Sequence, residues 1–433
     1  MRFSMKLIPF SIFVLFLSTI GFAQSPQEKT LADLVSPEVK TRRRAARELG
    51  ERRFREGVAP LVTALKNDSD PEVRANAAVS LGMIKDAEAI PTLVEALRDP
   101  APDVRRAAIR GVVSYSIESD IGFIFARRKG LNTFNPFLET NEPVIVAPFT
   151  QVDERILTGL ADQMRDDSDV DNRRSAVRAL GVLRADSQVP AMVGALTDPM
   201  LRIEIFRVFV KLGNPEYGKH VIPYFSDPSG DIRNQAIAAA GLLRTKDAAA
   251  PLNELYRKST SPEERGRRKV ILEALGRIGD ASSEEIFLEN FADQDDDRRR
   301  FAFEGLGRAK NEQLITRISS ARLNEKRETV KLAQAFALYK LGRPEYLLEI
   351  VRQLDSLSFA DQAEGYLSEL NSPQDLHPYF NRSTPPGIIR MMRAMGKIGT
   401  SADLPALDAM LRNRDSGVVN AANLAIQQIK RKQ

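Results

Sequence analysis

Val73-Arg74-Ala75-Asn76-Ala77-Ala78-Val79-Ser80-Leu81-Gly82 decides the fold, because its pattern returns along the chain. Arg44-Ala45-Ala46-Arg47-Glu48-Leu49-Gly50 precedes it. Arg174-Ser175-Ala176-Val177-Arg178-Ala179-Leu180-Gly181 and Ile232-Arg233-Asn234-Gln235-Ala236-Ile237-Ala238-Ala239-Ala240-Gly241 follow. Weaker copies end at Leu275-Gly276, Leu306-Gly307, Leu341-Gly342 and Met395-Gly396. Where nothing intervenes the copies lie about 28 to 35 residues apart, a period at which helical units stack into arrays.

Each copy reads as two helices. Asp68-Ser69-Asp70-Pro71 offers an N-cap followed by proline in the first turn. The helix it opens carries adjacent small alanines with leucine further on, so one face can come close to a neighbour. Gly82 reads as the residue that ends this helix, the usual place of glycine at C′. A second helix follows at Ile90-Pro91-Thr92-Leu93-Val94-Glu95-Ala96-Leu97, apolar at helical spacing. Neither helix can bury its stripe alone, so the units must stack. The expected fold is all-α: an α-solenoid of about 11–12 stacked helical hairpins. From about Gly417, a last helix puts Val419, Ala422, Ile426 and Ile429 on one side, with Asn420, Asn423, Gln427 and Gln428 on others.

These units resemble HEAT repeats, specifically the short bacterial variety called PBS-lyase HEAT-like repeats. The resemblance covers nearly everything from about Pro37 onward. It is specific in the copies around Gly82, Gly181 and Gly241, and degenerate around Phe206 and between Phe359 and Pro378. Among proteins with such repeats, deoxyhypusine hydroxylase carries His-Glu pairs that hold a di-iron centre. Here the only histidines, His220 and His377, are followed by Val221 and Pro378, so that activity does not carry over. Phycobilin lyases act on cytoplasmic proteins, which does not suit the start of this chain.

That start reads as a secretory signal. Arg2 and Lys6 precede an uncharged apolar stretch, Leu7 to Phe22, and Gly21-Phe22-Ala23 places cleavage after Ala23. The alternative is an uncleaved anchor, for which the apolar run is shorter than the ~20 residues of a spanning helix. Residues 1–23 are thus expected to be removed, 24–36 to form a flexible leader, and 37–433 to form the solenoid. No membrane span is expected after cleavage, and the location is extracytoplasmic. Cysteine is absent, so stability must come from packing without disulfides. Removing Arg2 and Lys6 leaves 61 basic against 58 acidic residues, too even a balance to imply nucleic acid.

One segment breaks the register. Between Ile109 and Asp153 the expected second helix is delayed by an insertion at about 114–152. It contains Phe123, Phe125, Phe134, Phe137, Phe149 and the cluster Arg127-Arg128-Lys129-Gly130. Gly, Asn and Pro punctuate it, which marks an irregular loop. Its phenylalanines either pack the loop onto the solenoid or form an aromatic-and-arginine surface of the composition enriched at interfaces. Phe123, Phe125, Arg127, Arg128, Phe134 and Phe137 are therefore the candidate partner-binding residues.

The remaining motifs have structural readings. Arg74, Arg105, Arg174 and Arg233 recur near the start of the first helix, with Asp68, Asp99 or Asp227 at the junctions before it. This is the pattern of arginines bonded to carboxylates and helix ends of adjacent repeats. Asp167-Ser168-Asp169-Val170-Asp171 imitates the opening of a calcium loop. Asn172 and Arg178 stand where that loop needs glycine and glutamate, so it reads as a helix cap. The clusters Arg42-Arg43-Arg44, Arg52-Arg53 with Arg55, and Arg265 with Arg267-Arg268-Lys269 have acids close by and read as solvated helix faces.

No nucleophile–base pair or nucleotide-binding loop occurs in a suitable context. The expected function is a monomeric, non-catalytic scaffold with no cofactor and no metal. A protein or peptide partner would lie on a concave face lined by the second helices, or on the insertion. The alternatives are an envelope protein that binds anionic polymers through its arginines, and an enzyme subunit with its chemistry in the insertion.

Overall fold

The computed structural model of the chain describes residues 25–117, 151–261 and 264–432. They are helical and form two units, Met1–Tyr115 and Ser116–Gln433. The segments 1–24 and 118–150, which hold the expected signal and nearly all of the insertion, lie outside the described residues.

In the first unit α1 (Pro26–Asp33) leads into the hairpins α2 (Val39–Glu51) with α3 (Val58–Asn67) and α4 (Pro71–Ile84) with α5 (Ile90–Ala96). Helix α6 (Pro102–Ser116) follows. The segment 24–36, expected to be a flexible leader, differs from that reading. Ser25 and Glu28 make a capping box at α1, Leu34 is buried, and Asp33 pairs with Arg44 of α2 at 3.2 Å.

In the second unit α7 (Glu154–Asp166) is followed by α8 (Val170–Val182) with α9 (Val189–Ala195). Helix α10 (Arg202–Leu212) is paired with two 3-10 turns, Pro215–His220 and Ile222–Ser226. The regular hairpins α11 (Gly230–Leu242) with α12 (Ala249–Lys258), α13 (Arg265–Ile278) with α14 (Glu284–Asn290), and α15 (Asp296–Ala309) with α16 (Ile315–Asn324) come next. Then follow α17 (Glu328–Lys340) with α18 (Leu347–Arg352), and α19 (Ala360–Leu367) with a 3-10 turn, Pro373–Tyr379. The hairpin α20 (Pro385–Ile398) with α21 (Leu404–Met410) and the helix α22 (Ser416–Arg431) complete the unit. This is the expected stack of hairpins. Its irregular members are the ones whose sequences are degenerate, around Phe206 and between Phe359 and Pro378.

The caps are where the junction acids predict them. Asp70 accepts from the Val73 N–H at 3.0 Å with Pro71 opening α4, and Asp169, Ser229, Asp295 and Asp415 cap α8, α11, α15 and α22. The apolar stripes fill the interior: Ala46, Leu49, Ala77, Leu81, Val177, Leu180, Ile237, Leu275 and Leu306 are buried. In α22 the buried set is Val418, Ala422, Ala425, Ile426 and Ile429, so Val418 takes the place expected for Val419. Asn420, Asn423 and Gln427 face outward.

The repeated glycine has another job than the one first read from it. Gly82 lies inside α4, and a Cβ there would stand 2.6 Å from the Cα of Gly111 in α6, with the Gly111 carbonyl oxygen nearer still. Gly241 bears the same relation to the Ala274 Cα and Gly307 to the Ala337 Cα, each at 2.6 Å. The glycines let successive first helices touch backbone to backbone. Gly342 is different: it has φ +89° and really does follow its helix.

At α2, α4, α8, α11 and α15 the left-handed residue after the helix is basic: Arg53, Lys85, Arg184, Arg244 and Lys310, with φ between 52° and 62°. At α2, α8 and α11 two reversed hydrogen bonds close the end, as in Arg244 N–H to Gly241 O and Thr245 N–H to Ala240 O, both 3.0 Å.

Candidate functional site

The six candidate partner-binding residues, Phe123, Phe125, Arg127, Arg128, Phe134 and Phe137, all lie outside the described residues. What the structure does place is the periodic charge, which forms two systems.

The first is a ladder at the N-terminal ends of the first helices. Arg74 donates from Nη1 to the carbonyls of Asp68 (2.9 Å) and Ser69 (3.3 Å). Its Nε and Nη2 clamp Asp99 of the next junction at 2.8 and 2.9 Å. Arg42 repeats this with Ser36, Pro37 and Asp68, and Arg299 with Asp293, Gln294 and Glu325. Arg105 and Arg233 make the carbonyl half of the pattern. In α8 the rung is Arg173, bonded to the Asp167 carbonyl and to Asp198, rather than Arg174. Arg174 instead reaches the Met200 carbonyl and lies 3.6 Å from Asp171. The slip arises because two adjacent arginines satisfy the sequence pattern and helix phase selects one of them.

The other motifs are likewise absorbed. Asp169 caps α8 through the N–H groups of Asp171 and Asn172, and Asp167 accepts from the Asp169 N–H. Arg43 pairs with Asp70 and Glu72, Arg52 with Glu48, Arg55 with Asp86, and Lys269 with Asp295 and Asp297. Arg268 lies over the Tyr256 ring. His377 Nε2 lies 2.9 Å from Asp403, a fully buried acid that also receives the Thr400 N–H and hydroxyl. His220 sits near Phe209; burial, with Lys219 beside it, pulls its pKa below the ordinary histidine value.

The second system sits at the other ends of the first helices in the second unit, and sequence reasoning missed it. Glu369 follows α19 and is nearly buried. Arg308 at the end of α15 grips it with Nε and Nη2 at 2.9 and 2.8 Å, and Arg244 at the end of α11 reaches it at 2.5 Å. Lys340 at the end of α17 donates to the Glu369 carbonyl and to Asn371, both at 2.8 Å. Arg308 also donates to the Gly276 carbonyl at 2.6 Å. Beneath lies a second acid, Glu304 of α15, which accepts from the Tyr366 hydroxyl at 2.6 Å and lies 3.4 Å from both Arg300 and Arg308. Tyr366 stacks on Phe336 with ring centroids 4.2 Å apart. The ends of four first helices thus gather on one carboxylate.

The electrostatics follow from that geometry. Burial alone would push Glu304 and Glu369 upward. Arg308, with Arg300 for the one and Arg244 and Lys340 for the other, outweighs it and holds both below the usual glutamate range. Burial, then the charge of Glu304, drives the Tyr366 hydroxyl well above its ordinary pKa. Burial opposes the charge on Arg308, yet Glu369 and Glu304 more than restore it. Burial and the neighbouring cations Lys310, Arg308 and Arg244 leave Lys340 below its usual value, so positive charge is in excess. Glu369 lies in a degenerate repeat, 61 residues from Arg308. The one available signal was a basic residue closing each first helix, at Arg244, Arg277, Arg308 and Lys340. Beside this pole the crease between α11 and α13 is lined by Ala238, Leu242, Val270, Glu273, Ala274 and Arg277.

A family profile described as HEAT repeats matches residues 28–112 and 218–307. No curated protein matches the chain in sequence. Among solved structures, importin beta is similar with 13% identity and a TM-score of 0.48, over 94% of this chain and 57% of that one. An engineered protein is 16% identical with a TM-score of 0.42, over 94% of this chain and 99% of its own. The complex of CpcE and CpcF of phycocyanin lyase from a Nostoc species is 17% identical with a TM-score of 0.27, over 76% and 100%. The stacked hairpins and the profile agree, one matched stretch lying in each unit: residues 28–112 and 218–307 of this chain are HEAT repeats, and the fold is an α-solenoid.

Proposed function

We propose that the chain is an exported, non-catalytic scaffold that binds a protein or peptide partner. The observation that supports it is where the polar side chains go. Arginines, acids and histidines that chemistry could use are spent on caps, inter-repeat clamps and the Glu369 pole. What is left is a long run of repeat surface. Binding on such a surface proceeds from many modest contacts on a preformed array, with little ordering. Among the described residues no helix is long and apolar enough to cross a membrane. Export rests on the Arg2–Ala23 signal pattern, and the insertion remains a second candidate surface through Phe123, Phe125, Arg127, Arg128, Phe134 and Phe137. The reading as a binder of anionic polymers through the arginine clusters is not favoured, because those clusters are paired with acids.

Two measurements test this. Fractionation with N-terminal sequencing should find the protein outside the cytoplasm beginning at Gln24; an intact Met1 in the cytoplasm would remove export. The mature chain, immobilised, should retain a protein from envelope extracts that then binds it directly in calorimetry. Deletion of 114–151 should leave the helical circular-dichroism signal largely intact while weakening that binding. Retention of no direct binder, or turnover of a substrate by the isolated chain, would overturn the scaffold reading.

A further inference from the structure

We infer that the C-terminal ends of α11, α13 and α15 form a receptor for the acidic side chains of a partner peptide, with Arg244, Arg277 and Lys310 as its binding residues. This deepens the scaffold reading and rests on it.

The chain itself shows what the pole accepts. The carboxylate of Glu369 is held by three guanidinium nitrogens, two from Arg308 and one from Arg244. Such charge-assisted, forked contacts are the strong way to hold an acid. Cationic capacity remains after that acid is seated. Arg244 is half exposed and shares its only acid with Arg308. Arg277 has only Glu273 on its own helix, a partly exposed pair at 2.9 Å of the kind that contributes little. Lys310 is exposed and has no ion-pair partner among the described residues. The depressed pKa of Lys340 reports the same surplus of positive charge.

Backbone conformation gives a second line. Arg244 and Lys310 hold left-handed φ values of 53° and 60°, which glycine adopts without strain, as Gly279 and Gly342 do at neighbouring helix ends. A long cationic side chain in that place is a backbone outlier, and outliers of this kind concentrate where a side chain is used. The apolar floor of the crease beside Arg277, made by Ala238, Leu242, Val270 and Ala274, offers room for an apolar neighbour of the acid. The fitted occupant is thus a peptide in which acidic and apolar residues alternate closely. A phosphate polymer would use the cations and leave the crease empty.

The test uses the mature full chain and a fluorescent peptide, Glu-Glu-Leu-Glu-Glu-Leu-Glu-Glu, with binding read by anisotropy. The double variant Arg277→Gln with Lys310→Gly should weaken binding at least tenfold while the thermal midpoint holds or rises. A control of equal charge change, Lys29→Gln with Lys326→Gln, should bind within twofold of the parent. Unchanged affinity in the first variant, or an equal loss in the control, overturns the assignment. Linear polyphosphate that binds more tightly than the peptide, with the same dependence on Arg277 and Lys310, also overturns it, by replacing the peptide as occupant. Direct binding of the envelope partner that survives the double variant would leave the scaffold reading standing and remove only the pole.

Discussion

Replacing Gly82 by alanine is the sharpest test of how the first helices pack. In an exposed helix interior that change stabilises by roughly 1 kcal/mol, because alanine is the better helix former. At Gly82 the new Cβ would stand 2.6 Å from the Gly111 Cα, with backbone on both sides and no side chain free to swing away. Carbon atoms prefer separations of about 3.5–4.0 Å. Helices α4 and α6 would therefore have to part by about 1 Å, loosening Leu81 and Ala78, which are fully buried. Overpacking of this kind costs roughly 1–3 kcal/mol. Opposed rigid backbone puts it near the top of that range, so after the gain in propensity about 2 kcal/mol of net destabilisation remains. The control is Gly365→Ala in α19, where a Cβ meets nothing within 4 Å and the residue is exposed. Urea unfolding followed by circular dichroism, with amide exchange resolved to α4 and α6, reads both. Gly82→Ala should lower the midpoint and speed exchange in those two helices, while Gly365→Ala should hold or raise it. A Gly82→Ala protein as stable as the parent would refute close backbone contact as the reason for the glycine.

Three further outcomes follow from the same geometry. Glu369→Gln leaves Arg308 buried with only Glu304 as counter-charge, so the second unit should lose about 3 kcal/mol, the low end for breaking a buried pair; a loss under 1 kcal/mol in urea unfolding would contradict the burial of that contact. Because Glu304 and Glu369 sit below their ordinary pKa in the folded chain, their stabilisation is complete above the unfolded glutamate range, near pH 4.3, and is lost as pH falls through and below it. Thermal midpoints measured from pH 7 to pH 2.5 should fall steeply at the acid end, and a flat profile would refute the assignment. Arg184→Gly relieves a left-handed residue with φ 52° and should stabilise by about 0.5–1 kcal/mol, read as a higher urea midpoint.

Local pattern made the stack legible and also set the limits of that legibility. The alternation of caps, alanines and leucines sufficed for the hairpins, since each is determined within about thirty residues. The arginine ladder was legible for the same reason: Arg74 and Asp99 belong to consecutive repeats. Gly82 was assigned to a helix end because glycine at a terminus and glycine at a helix crossing look alike in one dimension; only the position of Gly111 separates them. Arg173 and Arg174 differ by one residue, and helix phase decides between them. Glu369 was out of reach because its partners come from hairpins far apart in sequence, and its own repeat departs from the pattern that would have flagged it.

That last contact also bears on how such an array can change over generations. Repeat proteins ordinarily lengthen or shorten by whole units, since each unit meets only its neighbours. Between α11 and α19 that freedom is curtailed: Arg244 and Glu369 meet only when the number of intervening hairpins is right. A duplication or deletion there would pull the clasp apart, so this stretch should be inherited as a block of fixed length, with variation in repeat number confined to the hairpins on either side.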